Sequence, residues 1–132
     1  MLEKKEDKRH MLKSLLFAMA LVFSVAQAVA HETGPGPNGG AKVDAGKYHV
    51  EFVADGSTTI FVYLTDEDDK PVAATGFKAN AIFVVGGQPV RFPLVPAGSK
   101  KLTGTAPVAV APGVKGAIQL TAPDGTTAQA KF

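Results

Sequence analysis

The sequence has no cysteine, and that absence removes disulfide staples, thiolate nucleophiles and cysteine-based zinc sites at once. It has no tryptophan, so a nucleic-acid surface built on indole stacking is missing too. The basic excess that nucleic acid demands does not survive counting. The 132-residue chain holds 14 Lys+Arg against 12 Asp+Glu. Five of the basic residues (Lys4, Lys5, Lys8, Arg9, Lys13) and three of the acidic ones (Glu3, Glu6, Asp7) lie in the first thirty positions, which leaves nine of each from His31 onward. That remainder is formally neutral. All three methionines, Met1, Met11 and Met19, also precede it, so it contains no thioether. Histidine is scarce: beyond residue 30 there are only His31 and His49. No Ser-x-Gly elbow and no glycine-rich phosphate loop occurs, and Ser57 and Ser99 stand at no triad-like spacing from His49. The expectation is a protein that is not an enzyme, with no catalytic residues.

What is present most clearly is an export signal. Lys13 and the basic residues before it precede an apolar run, Leu15 to Val25, and then the small-residue stretch Ala26-Gln27-Ala28-Val29-Ala30. Small side chains at −3 and −1 fit signal peptidase, so cleavage is expected after Ala30, with Ala28 as a second cut. The run is too short for a comfortable membrane span. No cysteine follows it, so a lipoprotein anchor is excluded. Translation starting at Met11 rather than Met1 would give a more compact signal. The expected address is the periplasm, and the expected organisation is a signal peptide over 1–30, a flexible Gly/Pro-rich arm over 31–40 and one domain over 41–132.

That domain reads as all-β. Lys47–Ala54 alternates, with Tyr48, Val50 and Phe52 on one face and His49, Glu51 and Val53 on the other. Thr58–Thr65 is rich in β-branched and aromatic residues. Phe77–Val85 and Gln88–Leu94 flank Gly86-Gly87, a tight hairpin. Lys100–Ala106 is a weaker run. Gly116–Thr121 and Thr126–Phe132 flank Ala122-Pro123-Asp124-Gly125, a turn composition. About seven strands at regular spacing predict an immunoglobulin-like β-sandwich, with an open barrel as the alternative. The expected core comprises Tyr48, Val50, Phe52, Phe61, Ile82, Val84, Phe92, Leu94, Leu102, Ile118 and Leu120.

Alternation also defines the candidate site. Residues i and i+2 of a strand share a face, roughly 6.5–7 Å apart, so His49 and Glu51 are expected to face solvent together. An imidazole and a carboxylate on one face suit Cu(II) or Zn(II), although a polar outer strand face needs no metal to explain it. Cleavage after Ala30 would give His31 both a free α-amine and an imidazole, two nitrogens able to chelate one Cu(II). The expected metal ligands are therefore His31, His49 and Glu51, with Cu(I) excluded for want of soft ligands. The acidic run Asp66-Glu67-Asp68-Asp69 lacks the spacing of a calcium loop and reads as a solvated connection.

Gly36-Pro37-Asn38-Gly39-Gly40 followed by Tyr48-His49-Val50-Glu51-Phe52 resembles a group of small exported bacterial proteins. It is also similar to the N-terminal segment of periplasmic adaptor subunits of heavy-metal efflux pumps. The resemblance extends through Tyr63-Leu64-Thr65-Asp66, Lys70-Pro71-Val72 and Leu102-Thr103-Gly104. It implies a periplasmic location, a link to metal handling and an efflux adaptor or other envelope protein as partner. Two functions are open at this point: a periplasmic protein that binds Cu(II) or Zn(II) for an efflux system, and a non-catalytic immunoglobulin-like module that docks to an envelope partner.

Overall fold

The computed structural model describes residues Gly34–Phe132. The expected signal peptide, its expected cleavage site and His31 lie outside the described residues. The described chain is all-β and entirely antiparallel. Nine strands follow in order: β1 (Gly34–Pro35), β2 (Ala41–Ala45), β3 (Tyr48–Val53), β4 (Thr59–Asp66), β5 (Lys78–Val85), β6 (Gln88–Ala97), β7 (Lys101–Thr105), β8 (Lys115–Thr121) and β9 (Thr127–Lys131). There is no helix among the described residues.

The hydrogen-bonded order is β1-β2-β3-β4-β7-β6-β5-β8-β9. Strands β5, β6 and β7 form a meander that returns to lay β7 beside β4, and β8 then lies on the far side of β5. Each of these arrangements is a Greek key, and the two overlap in the meander. The sheet curls because β6 serves two ladders. Its residues Gln88–Leu94 pair with β5, and Val95–Ala97 pair with β7. Pro93 and Pro96 flank the switch, where a residue without an N–H costs the ladder least. Gly104 sits against this bend: a side chain there would overlap the Pro93 carbonyl oxygen.

The turns are as their residues demand. Gly86 and Gly87 both have positive φ, 58° and 78°, as a two-residue hairpin with the twist of its strands requires. In the β8–β9 turn the Gly125 amide donates to the Ala122 carbonyl, and the Asp124 carboxylate accepts from the Thr126 amide and hydroxyl.

The core lies inside the curl. Val50, Phe52, Phe92, Leu94, Leu102, Ile118 and Leu120 are buried there as expected. Fully burying a side chain of this size is worth roughly 1.5–3 kcal/mol. Tyr48 packs at its margin, edge-on to Phe77 at 5.2 Å. Three expected core residues are corrected. On β4 the inward set is Ile60, Val62 and Leu64, so Phe61 is half-buried on the outside, with the Lys101 ammonium 4.1 Å from its ring centre. On β5 the inward set is Ala79, Ala81 and Phe83, which leaves Ile82 half-buried and Val84 52% exposed. In both strands the two faces are apolar, so alternation cannot choose between them. Ladder register chooses, and a slip of one residue exchanges the faces.

Two strands fall outside the individual runs read from the sequence. Ala41–Ala45 is β2, joined to β3 by a two-residue hairpin at Gly46-Lys47. Gly34–Pro35, in the expected arm, pairs with Lys42 and Ala41 as β1. Short runs that mix small and charged residues carry too weak a period to announce a strand. Here pairing to β3 supplies what propensity does not.

Candidate functional site on the outer face of β3

His49 and Glu51 do project from the same face of β3, but two loops fold over that face and divide them. The first loop is Gly36–Gly40, between β1 and β2. Its Gly39 amide donates to the Gly36 carbonyl and its Gly36 amide to the Gly40 carbonyl, with Gly39 at φ 81°. The loop closes on Glu51. One carboxylate oxygen accepts from the Asn38 side-chain Nδ2 at 2.9 Å. The Asn38 amide reaches both oxygens, at 2.9 and 3.1 Å, and the Gly40 amide reaches one at 2.9 Å. Two backbone amides, one on each side of Gly39, converge on one anion, and here the anion is the protein's own side chain. Two glycines make room. A Cβ at Gly36 would overlap the Glu51 side chain, and one at Gly40 would overlap the Phe52 carbonyl oxygen.

Glu51 is consequently 3% exposed, the one charged residue among the buried described residues. The expectation that it faces solvent beside His49 is corrected. The cause is the loop that covers it, not the strand's alternation.

The second loop is Asp66–Lys70, after β4, and it repeats the hydrogen-bond pattern of the first. The Asp69 amide donates to the Asp66 carbonyl and the Asp66 amide to the Lys70 carbonyl. The Asp66 carboxylate accepts from the amides of Asp68 and Lys70. Asp69 holds the position that Gly39 holds in the first loop, with φ 60°, the one positive φ among the described non-glycine residues. Aspartate tolerates this conformation better than most side chains. The solvated connection read from the sequence is thus an ordered hairpin loop, and it delivers Asp69 to His49.

The Asp69 carboxylate lies 2.8 Å from His49 Nδ1, and Lys42 Nζ pairs with the same oxygen. On the other side of the ring, His49 Nε2 lies 3.0 Å from the Asp44 carboxylate. Asp44 is directly across the β2–β3 ladder from His49. Both ring nitrogens therefore face carboxylate oxygens, which only accept. The doubly protonated ring donates to both at once, whereas a neutral ring donates to one. The Lys42 ammonium beside Asp69, and then His49, hold the Asp69 carboxyl below its ordinary value.

As a coordination sphere this arrangement has little to offer. The two nitrogens of an imidazole point to opposite sides, so Asp44 and Asp69 cannot converge with His49 on one ion. Among the described residues no group of three or more His, Asp or Glu side chains is placed to hold a metal. The structure brings His49 together with Asp44, Asp69 and Lys42, and separates it from Glu51. Sequence reasoning missed these partners, although one signal was available: a two-residue hairpin at Gly46-Lys47 puts Asp44 opposite His49. No family model, curated protein or solved structure matches the chain.

Proposed function

We propose that the protein is a non-catalytic binding module of the cell envelope, exported to the periplasm, in which His49 and Glu51 build the fold rather than bind a metal. The observation that carries this reading is the burial of Glu51 under the Gly36–Gly40 loop, with its carboxylate saturated by donors. Opening that site to a cation would forfeit several charge-assisted hydrogen bonds, each worth about 1.5–3 kcal/mol. The two overlapping Greek keys support reading the curled sheet as an immunoglobulin-like sandwich, an architecture used widely for recognition. On this reading the motif pair that resembles efflux adaptors is a folding unit, loop and clasped glutamate. An adaptor or another envelope protein then remains a fitting partner.

A second reading has one observation in its favour. An imidazole whose far nitrogen is held by a carboxylate, as Nε2 is by Asp44, is the usual posture of a metal-bound histidine. Cu(II) or Zn(II) could then take Nδ1 with Asp69, and His31 could supply further nitrogens. Isothermal titration of Cu(II) and Zn(II) into protein recovered from the periplasm separates the two readings. The module reading expects no site tighter than about micromolar and no change on His49→Ala. A tight single site, lost on His49→Ala and weakened by one residue added before His31, would establish the metal reading in its place.

A further inference from the structure

Charge is spread unevenly over the sheet. β5, β6, β8 and β9 together contain no Asp or Glu. The acidic side chains of the described residues lie on β2–β4, in the loops beside them and in the β8–β9 turn. The four acid-free strands are neighbours, in the order β6-β5-β8-β9, so their outward residues form one continuous face. Register arranges that face in rows. Pro89, Val84 and Lys115 stand side by side nearest the β5–β6 hairpin. Arg91, Ile82, Ala117 and Lys131 form the next row, roughly 7 Å behind.

The hairpin end of this face is apolar, and cations stand beside and behind it. Residues 79–90 carry no charged side chain. Val84, at the last outward position of β5, is 52% exposed. None of the described residues stands within 4 Å of a Cβ built on Gly86 or Gly87, so the turn projects. Arg91, Lys115 and Lys131 are exposed and enter no ion pair among the described residues. Asp124 lies at the opposite end of β8 and β9 from the two lysines.

We propose that this face docks on an anionic phospholipid membrane, with the tip of the β5–β6 hairpin entering the headgroup layer and Arg91, Lys115 and Lys131 on the lipid phosphates. Charge complementarity selects an anionic partner, since the face offers three cations and no Asp or Glu. Shape selects a membrane over an acidic protein chain. An uncharged projecting tip with cations behind it matches a surface whose phosphates overlie hydrocarbon. A strand adding to β6 would be poorly received. Val85 and Gln88 close the hairpin, so residues 89, 91 and 93 turn their main chain away from β5, and two of these are prolines without an amide to donate. The proposal rests on the module reading, under which the protein is exported, and gives that module a lipid partner.

Vesicle flotation tests it, with protein recovered after export of the full chain. One set of vesicles is phosphatidylcholine alone, and the other holds one part phosphatidylglycerol to two of phosphatidylcholine. The protein should bind the anionic set and not the neutral one, and binding should fall as salt is raised. A cation near such a surface is worth about fivefold in partition, so Arg91→Gln, Lys115→Gln and Lys131→Gln combined should weaken binding about a hundredfold. All three side chains are exposed, and an unchanged thermal unfolding curve establishes that the triple variant is folded. The chain has no tryptophan, so Val84→Trp and Val95→Trp each supply a single reporter. Both positions are 52% exposed, but Val95 lies toward the far end of β6, where that strand pairs with β7. Anionic vesicles should blue-shift the emission of Val84→Trp and leave that of Val95→Trp unchanged.

The proposal is overturned by no binding to either set, by equal binding to both, by unchanged binding of the triple variant, or by a blue shift at Val95→Trp in place of Val84→Trp. It is also overturned by self-association without vesicles that the triple variant abolishes, which makes the acidic loop of a second copy the occupant. Binding of poly-glutamate where vesicles fail overturns it too, since an acidic chain is then the partner. Failure of the module reading is visible separately, as tight His49-dependent Cu(II) binding in the calorimeter. A negative vesicle result without such binding removes the membrane face and leaves the module.

Discussion

Two loops with the same hydrogen-bond pattern lean over the same strand, and they treat its two polar residues in opposite ways. Gly36–Gly40 buries Glu51 and meets it with backbone amides and an asparagine. Asp66–Lys70 leaves His49 in a partly solvated ion cluster with Asp44, Asp69 and Lys42. The difference lies in the left-handed position and its surroundings. With glycines at 36, 39 and 40 the first loop can press its main chain onto the carboxylate. With aspartate at 69 the second loop stands off and reaches with a side chain. A buried acid satisfied by main chain is costly to disturb, because its removal strands several donors. A partly solvated ion pair is screened more than a buried one, and its loss costs less.

The comparison therefore breaks first at Glu51. Glu51→Ala is expected to destabilise the protein by roughly 2–4 kcal/mol in urea unfolding, since Asn38 and Gly40 lose their acceptor beneath a closed loop. Glu51→Gln should cost less but still measurably, because an amide presents donors to donors. A loss below about 0.5 kcal/mol for Glu51→Ala would show that the loop contributes nothing to the fold. Next in size are Gly36→Ala and Gly40→Ala, expected to cost about 1–3 kcal/mol each through steric overlap in the clasp. The same change at Gly34, where none of the described residues stands within 4 Å, should be near neutral.

On the other side of the comparison, His49→Ala should cost no more than about 1 kcal/mol. Asp69→Asn keeps the side chain most tolerant of φ 60° while removing the charge, so its melting temperature should fall less than that of Asp69→Ala. The reverse order would mean that charge, not backbone conformation, fixes the loop.

The smallest expected effect is the pH dependence of the exposed carboxylates. Asp69 is held low by Lys42 and His49, Asp55 by Ser57 and Asp124 by Thr126. A carboxyl depressed in the folded state adds stability above its unfolded value, near 3.9, and loses it as pH falls through the folded value. Melting temperature should thus be flat from pH 7 to about 5 and decline below about 4. Asp69→Asn should flatten part of that decline, and an unchanged acid limb would remove the pairing from the account.

Much of this architecture was legible in the residues. Turn chemistry placed the hairpins at Gly86-Gly87 and at Ala122–Gly125, and alternation gave the inward face of β3. It failed where both faces of a strand are apolar, so Phe61 and Val84 were assigned inward when Ile60 and Phe83 hold those places. It failed again for β2, whose period is carried by only five residues. The site was legible in position and not in meaning. Alternation put His49 and Glu51 on one face correctly. Whether solvent reaches that face depends on Asn38 and Asp69, which are 13 and 20 residues away from their partners. No local pattern on β3 contains that information.

The central claim is that Glu51 belongs to the fold and not to a ligand set, and hydrogen exchange at the Asn38 and Gly40 amides tests it most directly. Exchange is followed on the processed protein with and without saturating Zn(II), which is diamagnetic. The account expects both amides to be protected to a degree comparable with the β3–β4 ladder, unchanged by Zn(II) and lost in Glu51→Gln. Rapid exchange in the free protein, or protection that collapses when Zn(II) is added, would mean that the carboxylate is available to a metal and would contradict it.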